Sequence, residues 1–187
     1  MATPTSLPAT FVAGNVLTAA QMNDLRGAFR IVAVKHALFT GTQANSTASS
    51  ANFAITDLSI THTLADSANK LIISAYVGAA GGSANDGQVG VAIADDGTLV
   101  NIADAASSRT RTSAGERLPA SDAGACVTLS ICSVYEPGDT ASHTYTVRAI
   151  NTSSSTRTVY INRTPSDTDA ALSIRATSSF VIQEVSA

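Results

Sequence analysis

Tryptophan is absent from this 187-residue chain, and aromatic residues make up only 5% of it. A core without large rings is assembled from many small side chains, each removing little area from water, so tight packing must compensate. Oligomerisation would be a natural supplement. Charge is sparse as well, at 13% of residues with a formal net charge of −3. Lysine and arginine are scattered singly, which leaves no basic stripe for a phosphate backbone and argues against a nucleic-acid partner. No window approaches the roughly 18 apolar residues of a spanning helix. The N-terminus also lacks the basic-then-apolar order of a secretory signal. The expectation is a soluble protein, made in the cytoplasm, with no membrane insertion.

Cysteine occurs only at Cys126 and Cys132, six residues apart in one expected strand. At about 3.3 Å per residue they stand roughly 20 Å apart, too far for a disulfide. Both are expected to be buried thiols acting as small apolar residues.

Helix is the next scarcity. The one persuasive helix runs from Thr18 to about Arg26, where the Thr18 hydroxyl and the Gln21 side chain can satisfy each other's backbone amides. Ala19, Ala20, Gln21, Met22 and Leu25 favour helix, and Gly27 stops it. A helix of about nine residues is unstable alone in water and must dock on something. Residues 1–17, with Pro4, Pro8 and Gly14, read as an extended arm leading into it.

From Arg30 onward the hydrophobic period is two. Val32, Val34, His36 and Leu38 alternate with Ile31, Ala33, Lys35 and Ala37. A polar tract over 40–52 reads as a long loop, followed by strands at Phe53–Ile55 and Leu58–Thr63. Lys70–Val77 is apolar on both faces toward its start, the mark of a central strand, and Gly78–Gly87 breaks it. Gln88–Ala94 and Thr98–Ala103 flank the turn Asp95-Asp96-Gly97. The tract 104–124, with Arg109, Arg111 and Arg117, reads as a mobile polar loop. Ala125–Tyr135 precedes the turn Glu136-Pro137-Gly138-Asp139, and Ser142–Asn151, Thr156–Arg163, Ala170–Ala176 and Ser179–Val185 complete the set. About nine or ten short strands with no second helix define an all-β antiparallel sandwich or jelly roll. A parallel α/β sheet is excluded for want of crossover helices. The division is an arm and helix over 1–28 and a β-sandwich domain over 29–187.

Motifs for chemistry are missing too. His36, His62 and His143 sit in unrelated contexts and read as structural or surface residues. There is no Gly-x-Ser-x-Gly elbow, no His-Glu-x-x-His and no paired Cys-x-x-Cys. The glycines of Gly78–Gly90 lack the lysine and following helix of a phosphate cradle. Asp95 with Asp96, and Asp167 with Asp169, offer oxygen ligands but not the count of a recognised calcium loop. Asn45, Asn151 and Asn162 match a glycosylation pattern, which means little without a secretory signal. Glu116, Glu136 and Glu184 do not form the paired acids of a glycan hydrolase. The expectation is a non-enzyme with no cofactor and no metal.

Two stretches carry a resemblance. Thr10-Phe11-Val12-Ala13-Gly14-Asn15-Val16-Leu17-Thr18-Ala19-Ala20-Gln21-Met22-Asn23-Asp24-Leu25-Arg26 resembles the opening of many tailed-bacteriophage structural proteins. The remainder is similar to the β-rich domain of phage tail fibres and virion-surface proteins. It does so at Arg30–Val34, Ile60–Ile73 and Ser142–Ala149, and in the closing Ala176–Val185. The resemblance implies a non-enzymatic, commonly trimeric appendage of the virion, docked on a capsid or tail protein through its N-terminal segment. In that reading Leu7, Phe11, Val12, Val16, Leu17, Met22 and Leu25 supply the anchoring contacts, and close trimer packing covers the sheet edges. The chain would be made in the host bacterial cytoplasm and reside in the virion. Capsid decoration and a short tail fibre both fit, although the absence of a coiled-coil shaft or collagen-like repeat leans away from a long fibre. An adhesin would present polar loops distally, with Asn85, Asp86, Arg109, Arg111 and Arg117 as receptor-facing candidates and a host-surface glycan as the alternative partner.

Overall fold

A computed structural model of the chain describes residue 19 and residues 30–82, 88–118, 124–171 and 173–186. Among these lie eleven strands: β1 (Ile31–Phe39), β2 (Gln43–Thr47), β3 (Asn52–Thr63), β4 (Lys70–Gly82), β5 (Gln88–Asp95), β6 (Thr98–Val100), β7 (Ala114–Arg117), β8 (Val127–Tyr135), β9 (Ser142–Asn151), β10 (Arg157–Ile161) and β11 (Ser178–Val185). Of the expected arm and helix only Ala19 is described; the rest of residues 1–28 lies outside the described residues.

The expected count was too low because short polar strands carry no hydrophobic signal. Gln43–Thr47, read as loop, is an edge strand on β10, and edge positions need few apolar residues. Ala114–Arg117 likewise pairs with β5 inside the tract read as mobile loop. β4 continues through Gly78 to Gly82, since its backbone still has partners there. Phe53–Ile55 and Leu58–Thr63 fuse into β3, with a register shift and a positive φ of 60° at Asp57 between them. Ala170–Ala176 is not a strand; Arg175 makes only an isolated bridge to Arg163. Cys126 precedes β8 and is half-buried, which pushes its thiol pKa up, while Cys132 on β8 is exposed, so the expected burial fails there.

Every strand pairing is antiparallel. β1 and β2 run end to end along β11 and β10, which in turn share one edge of β4, while β8 takes the other edge. In the second sheet β3 pairs β9, β9 pairs β5, and β6 and β7 share the far edge of β5. Three end-to-end pairs thus reduce eleven strands to eight, in the orders 1-8-3-6 and 2-7-4-5. These interleaved orders are the two Greek keys of a jelly roll.

The core lies between the sheets. Leu71, Ile73, Ala75 and Val77 of β4, Phe180 and Ile182 of β11, and Leu129 and Ile131 of β8 face Val89, Val91 and Ile93 of β5 and Tyr145, Val147 and Ala149 of β9. Side chains also stitch the sheet edges together. Lys35 Nζ donates to the Thr61 carbonyl at 2.8 Å, and Gln43 bonds the Ala54 carbonyl and the Thr56 amide across the β3 irregularity. On the other side Asn101 Nδ2 donates to Ser133 Oγ and to the Val134 carbonyl. The chain thus protects these edges itself.

Candidate functional site

Strand register decides which loops share an end. Thr47 pairs Arg157, Asn52 pairs Ile150 and Val89 pairs Asn151, so the loops 48–51 and 152–156 gather beside the start of β5. Ile31 pairs Val185 and Thr63 pairs Ser142 at the opposite end, where the segment preceding β1 enters.

At the first end these loops and the 101–113 connection enclose a groove of about 550 Å³, lined by Ser49, Ser50, Gln88, Ser108, Arg109, Thr110, Thr152, Ser153 and Ser154. A smaller hollow of about 320 Å³ shares Ser50, Ser108, Arg109 and Thr110 and adds Arg111 with the apolar Leu99, Ile102 and Ile150. The 101–113 connection crosses the outer face of β5. A Cβ on Gly90 would stand 2.4 Å from Thr112 Cγ2, so only glycine permits that approach.

Asn151, fully buried, braces the loops around the groove. Its Nδ2 donates to the Thr47 and Ser155 carbonyls at 2.7 and 2.9 Å, and its Oδ1 accepts from the Ser153 amide. Ser49 Oγ donates to the Ser153 carbonyl, and the Ser50 and Thr110 hydroxyls meet at 2.6 Å, joining the loops. Arg111 Nε donates to the Ala103 carbonyl. Among the described residues, neither lining includes a carboxylate, imidazole or thiol. The described lining of the groove therefore offers hydrogen-bonding and cationic groups.

A titratable cluster forms at the other end. His143 Nδ1 lies 2.8 Å from Asp95 Oδ1 and its Nε2 lies 3.0 Å from Asp139 Oδ1. Both acceptors are carboxylates, so the arrangement favours the protonated ring, in which both nitrogens donate. Hydrogen bonds to Asp139 and Asp95 raise its pKa, and the bond to His143 lowers that of Asp139. Tyr135 donates to Asp95 Oδ2 at 2.8 Å, and burial together with that carboxylate pushes its hydroxyl up to about 12. Asp95, Asp96 and His143 place ligand atoms within 4.8 Å of one another, and the protonated ring would have to give up a proton before it could ligate a cation. In this arrangement the cluster is a clasp joining the β5–β6 turn to the β8–β9 loop.

A third feature is the outer face of the six-stranded sheet. Ile31, Val34, Leu38, Tyr76 and Val134 are all about half exposed there; Val134 is in register with Ile72, Val181 lies between His36 and Ser74, and Gln183 lies between Val34 and Ile72. The charged groups at its margin, Lys70 and Glu136, pair with each other at 2.7 Å.

Of the receptor-facing candidates, Arg109 and Arg111 meet at the groove; Arg117 sits on β7 outside its lining; Asn85 and Asp86 lie outside the described residues, as do Leu7, Phe11, Val12, Val16, Leu17, Met22 and Leu25. Asp167 pairs with Arg163 and Arg175. His36 is exposed, and His62 is buried against Glu184. The serines and threonines of the groove were legible only as loop residues, and Asn151 only as part of a glycosylation pattern that its burial closes off. No family model matches the chain, and no curated protein matches it. Among the described residues no helix is long and apolar enough to cross a membrane.

Proposed function

We propose that this protein is a bacteriophage virion structural protein, a homotrimeric surface appendage docked on a capsid or tail protein through residues 1–28. The observation that carries the reading is the polarity of the jelly roll. The segment resembling a virion anchor enters at Ile31, at the end opposite the polar groove, so docking at one end presents the groove outward. The apolar outer face of the six-stranded sheet supports self-association, because its marginal charges neutralise each other and two copies meet without repulsion. The closure of the sheet edges by the chain's own side chains leaves this face, rather than the edges, as the surface to be covered.

The test is made on assembled particles. Antibody labelling and mass spectrometry of purified virions are expected to find the protein on the particle, and removal of residues 1–28 is expected to abolish its incorporation while the β-domain still folds. Undiminished incorporation of the truncated chain would refute the anchoring role, and copy number per particle separates capsid decoration from a tail location.

A further inference from the structure

We propose that the groove between loops 48–51, 101–113 and 152–156 binds an acidic saccharide, with Arg109 and Arg111 engaging its acid group and the surrounding side chains bonding its hydroxyls. The proposal stands on the groove itself and not on a virion location, so a failure to bind and a failure to find the protein on particles are separate results.

Charge selects the acid. The chain carries 14 acidic and 11 basic residues, yet among the described residues the two adjoining hollows are lined by two arginines and no carboxylate. The Arg109 guanidinium is exposed and has no side-chain partner among the described residues, and Arg111 is held only through Nε, which leaves its terminal nitrogens open. A guanidinium fork matches the paired oxygens of a carboxylate or a phosphate.

The remaining lining selects a polyhydroxy compound. Seven of the nine residues around the larger hollow are serine or threonine, and Gln88 adds an amide. The hydroxyls of Ser108, Thr152 and Ser154 have no partner among the described residues, so each can both donate and accept. With no aromatic ring in either lining there is no stacking platform for a nucleobase. A volume of about 550 Å³ falls within the size range of small-ligand sites.

The groove is also organised in advance. Asn151 fixes two of its loops, and the Ser50–Thr110 contact ties in the third. Among the described residues six other than glycine adopt positive φ, and the two that are neither Asn nor Asp, Ser50 and Ser107, both line these hollows. Such backbone is held only where its surroundings fix it, and that spares a ligand the cost of ordering the loops.

Calorimetry on the full chain tests this with matched pairs that differ only in the acid: an oligogalacturonate against its methyl ester, and sialyllactose against lactose, with inorganic phosphate as a further probe. At least one acid member is expected to bind, with its neutral counterpart weaker by about tenfold or more, and Arg109→Ala is expected to cost about tenfold or more. Arg117→Ala, which lies outside the groove, is expected to leave affinity unchanged, and the thermal midpoint of each variant checks its fold. The proposal is overturned by no heat from either acid at millimolar concentration, by equal affinity for the neutral partner, by full affinity in Arg109→Ala, or by phosphate binding as tightly as the saccharide, which would make this a simple anion site.

Discussion

Asn162 takes up five hydrogen bonds at the place where β4 changes partners. Its Nδ2 donates to the carbonyls of Phe39 and Gly41, both at 2.9 Å, and its Oδ1 accepts from Ser178 Oγ at 2.6 Å. Its backbone amide reaches the Gly78 carbonyl and its carbonyl accepts from Ala176. A positive φ of 60° suits asparagine better than alanine. Asn162→Ala is therefore expected to lower stability by about 2–4 kcal/mol, read as a fall in urea midpoint at unchanged slope; an unchanged midpoint would show that solvent replaces these bonds. At the same scale His143 sets a pH dependence. Its folded pKa is raised above the ordinary 6.5, so its stabilisation is complete below that value and fades as pH climbs through the folded pKa. Asp139, lowered, contributes above its unfolded pKa and loses that contribution as pH falls through the lower folded value. The thermal midpoint should decline from about pH 6.5 upward in the native protein and stay flatter in His143→Gln; parallel curves would remove the clasp. Neither residue was legible in this role from sequence. Asn162 matched a glycosylation pattern and His143 stood beside a turn, because a residue's neighbours along the chain do not reveal partners brought from other strands.

Elements were legible in proportion to their burial. Ser142–Asn151 matches the central strand β9 at both ends, and the alternation of Ala125–Tyr135 places Leu129 and Ile131 of the edge strand β8 inward, because each strand lays one face on the core. β2 and β7 escaped because edge strands keep a polar sequence, and the extension of β4 escaped because Gly78 resembles a break. In the fold Gly78 is a passing point, where a Cβ would stand 2.4 Å from the Thr177 carbonyl. Glu184 breaks the alternation rule in the other sense, a carboxylate buried on the inward face of β11. It bridges the sheets through His62 Nε2 at 2.9 Å and caps the 64–69 loop through the Ala65 amide at 2.8 Å and Asn69 Nδ2 at 2.6 Å. Glu184→Ala strands three buried or partly buried groups and is expected to cost about 3–5 kcal/mol in chemical denaturation. Glu184→Gln retains an acceptor and should lose less. Equal, small losses for both would mean that the loop closes without this carboxylate.

At the scale of the molecule, the sandwich class was fixed by periodicity and the scarcity of helix, whereas the jelly-roll order and the groove depend on pairings between distant segments that no local pattern encodes. The exposed apolar face belongs to this scale too. Its residues come from β1, β4, β8 and β11, so it is invisible until the sheet is assembled. Four strands about 4.8 Å apart and about eight residues tall give a plan area of roughly 500 Å², below the roughly 800 Å² per partner of a standard interface. Self-association through this face must therefore recruit surface beyond it. Introducing charge on its β1 side tests the idea with little risk to the fold, since Val34 and Leu38 are 58% and 52% exposed. The double variant Val34→Asp, Leu38→Asp is expected to convert a trimer to monomers in light scattering at micromolar concentration, with far-ultraviolet circular dichroism unchanged. An intact trimer in the variant would place the contact elsewhere. A wild-type monomer that enlarges only when residues 1–28 are removed would instead make the chain's own leading segment the cover of this face, and with it refute the use of that segment as a free anchor.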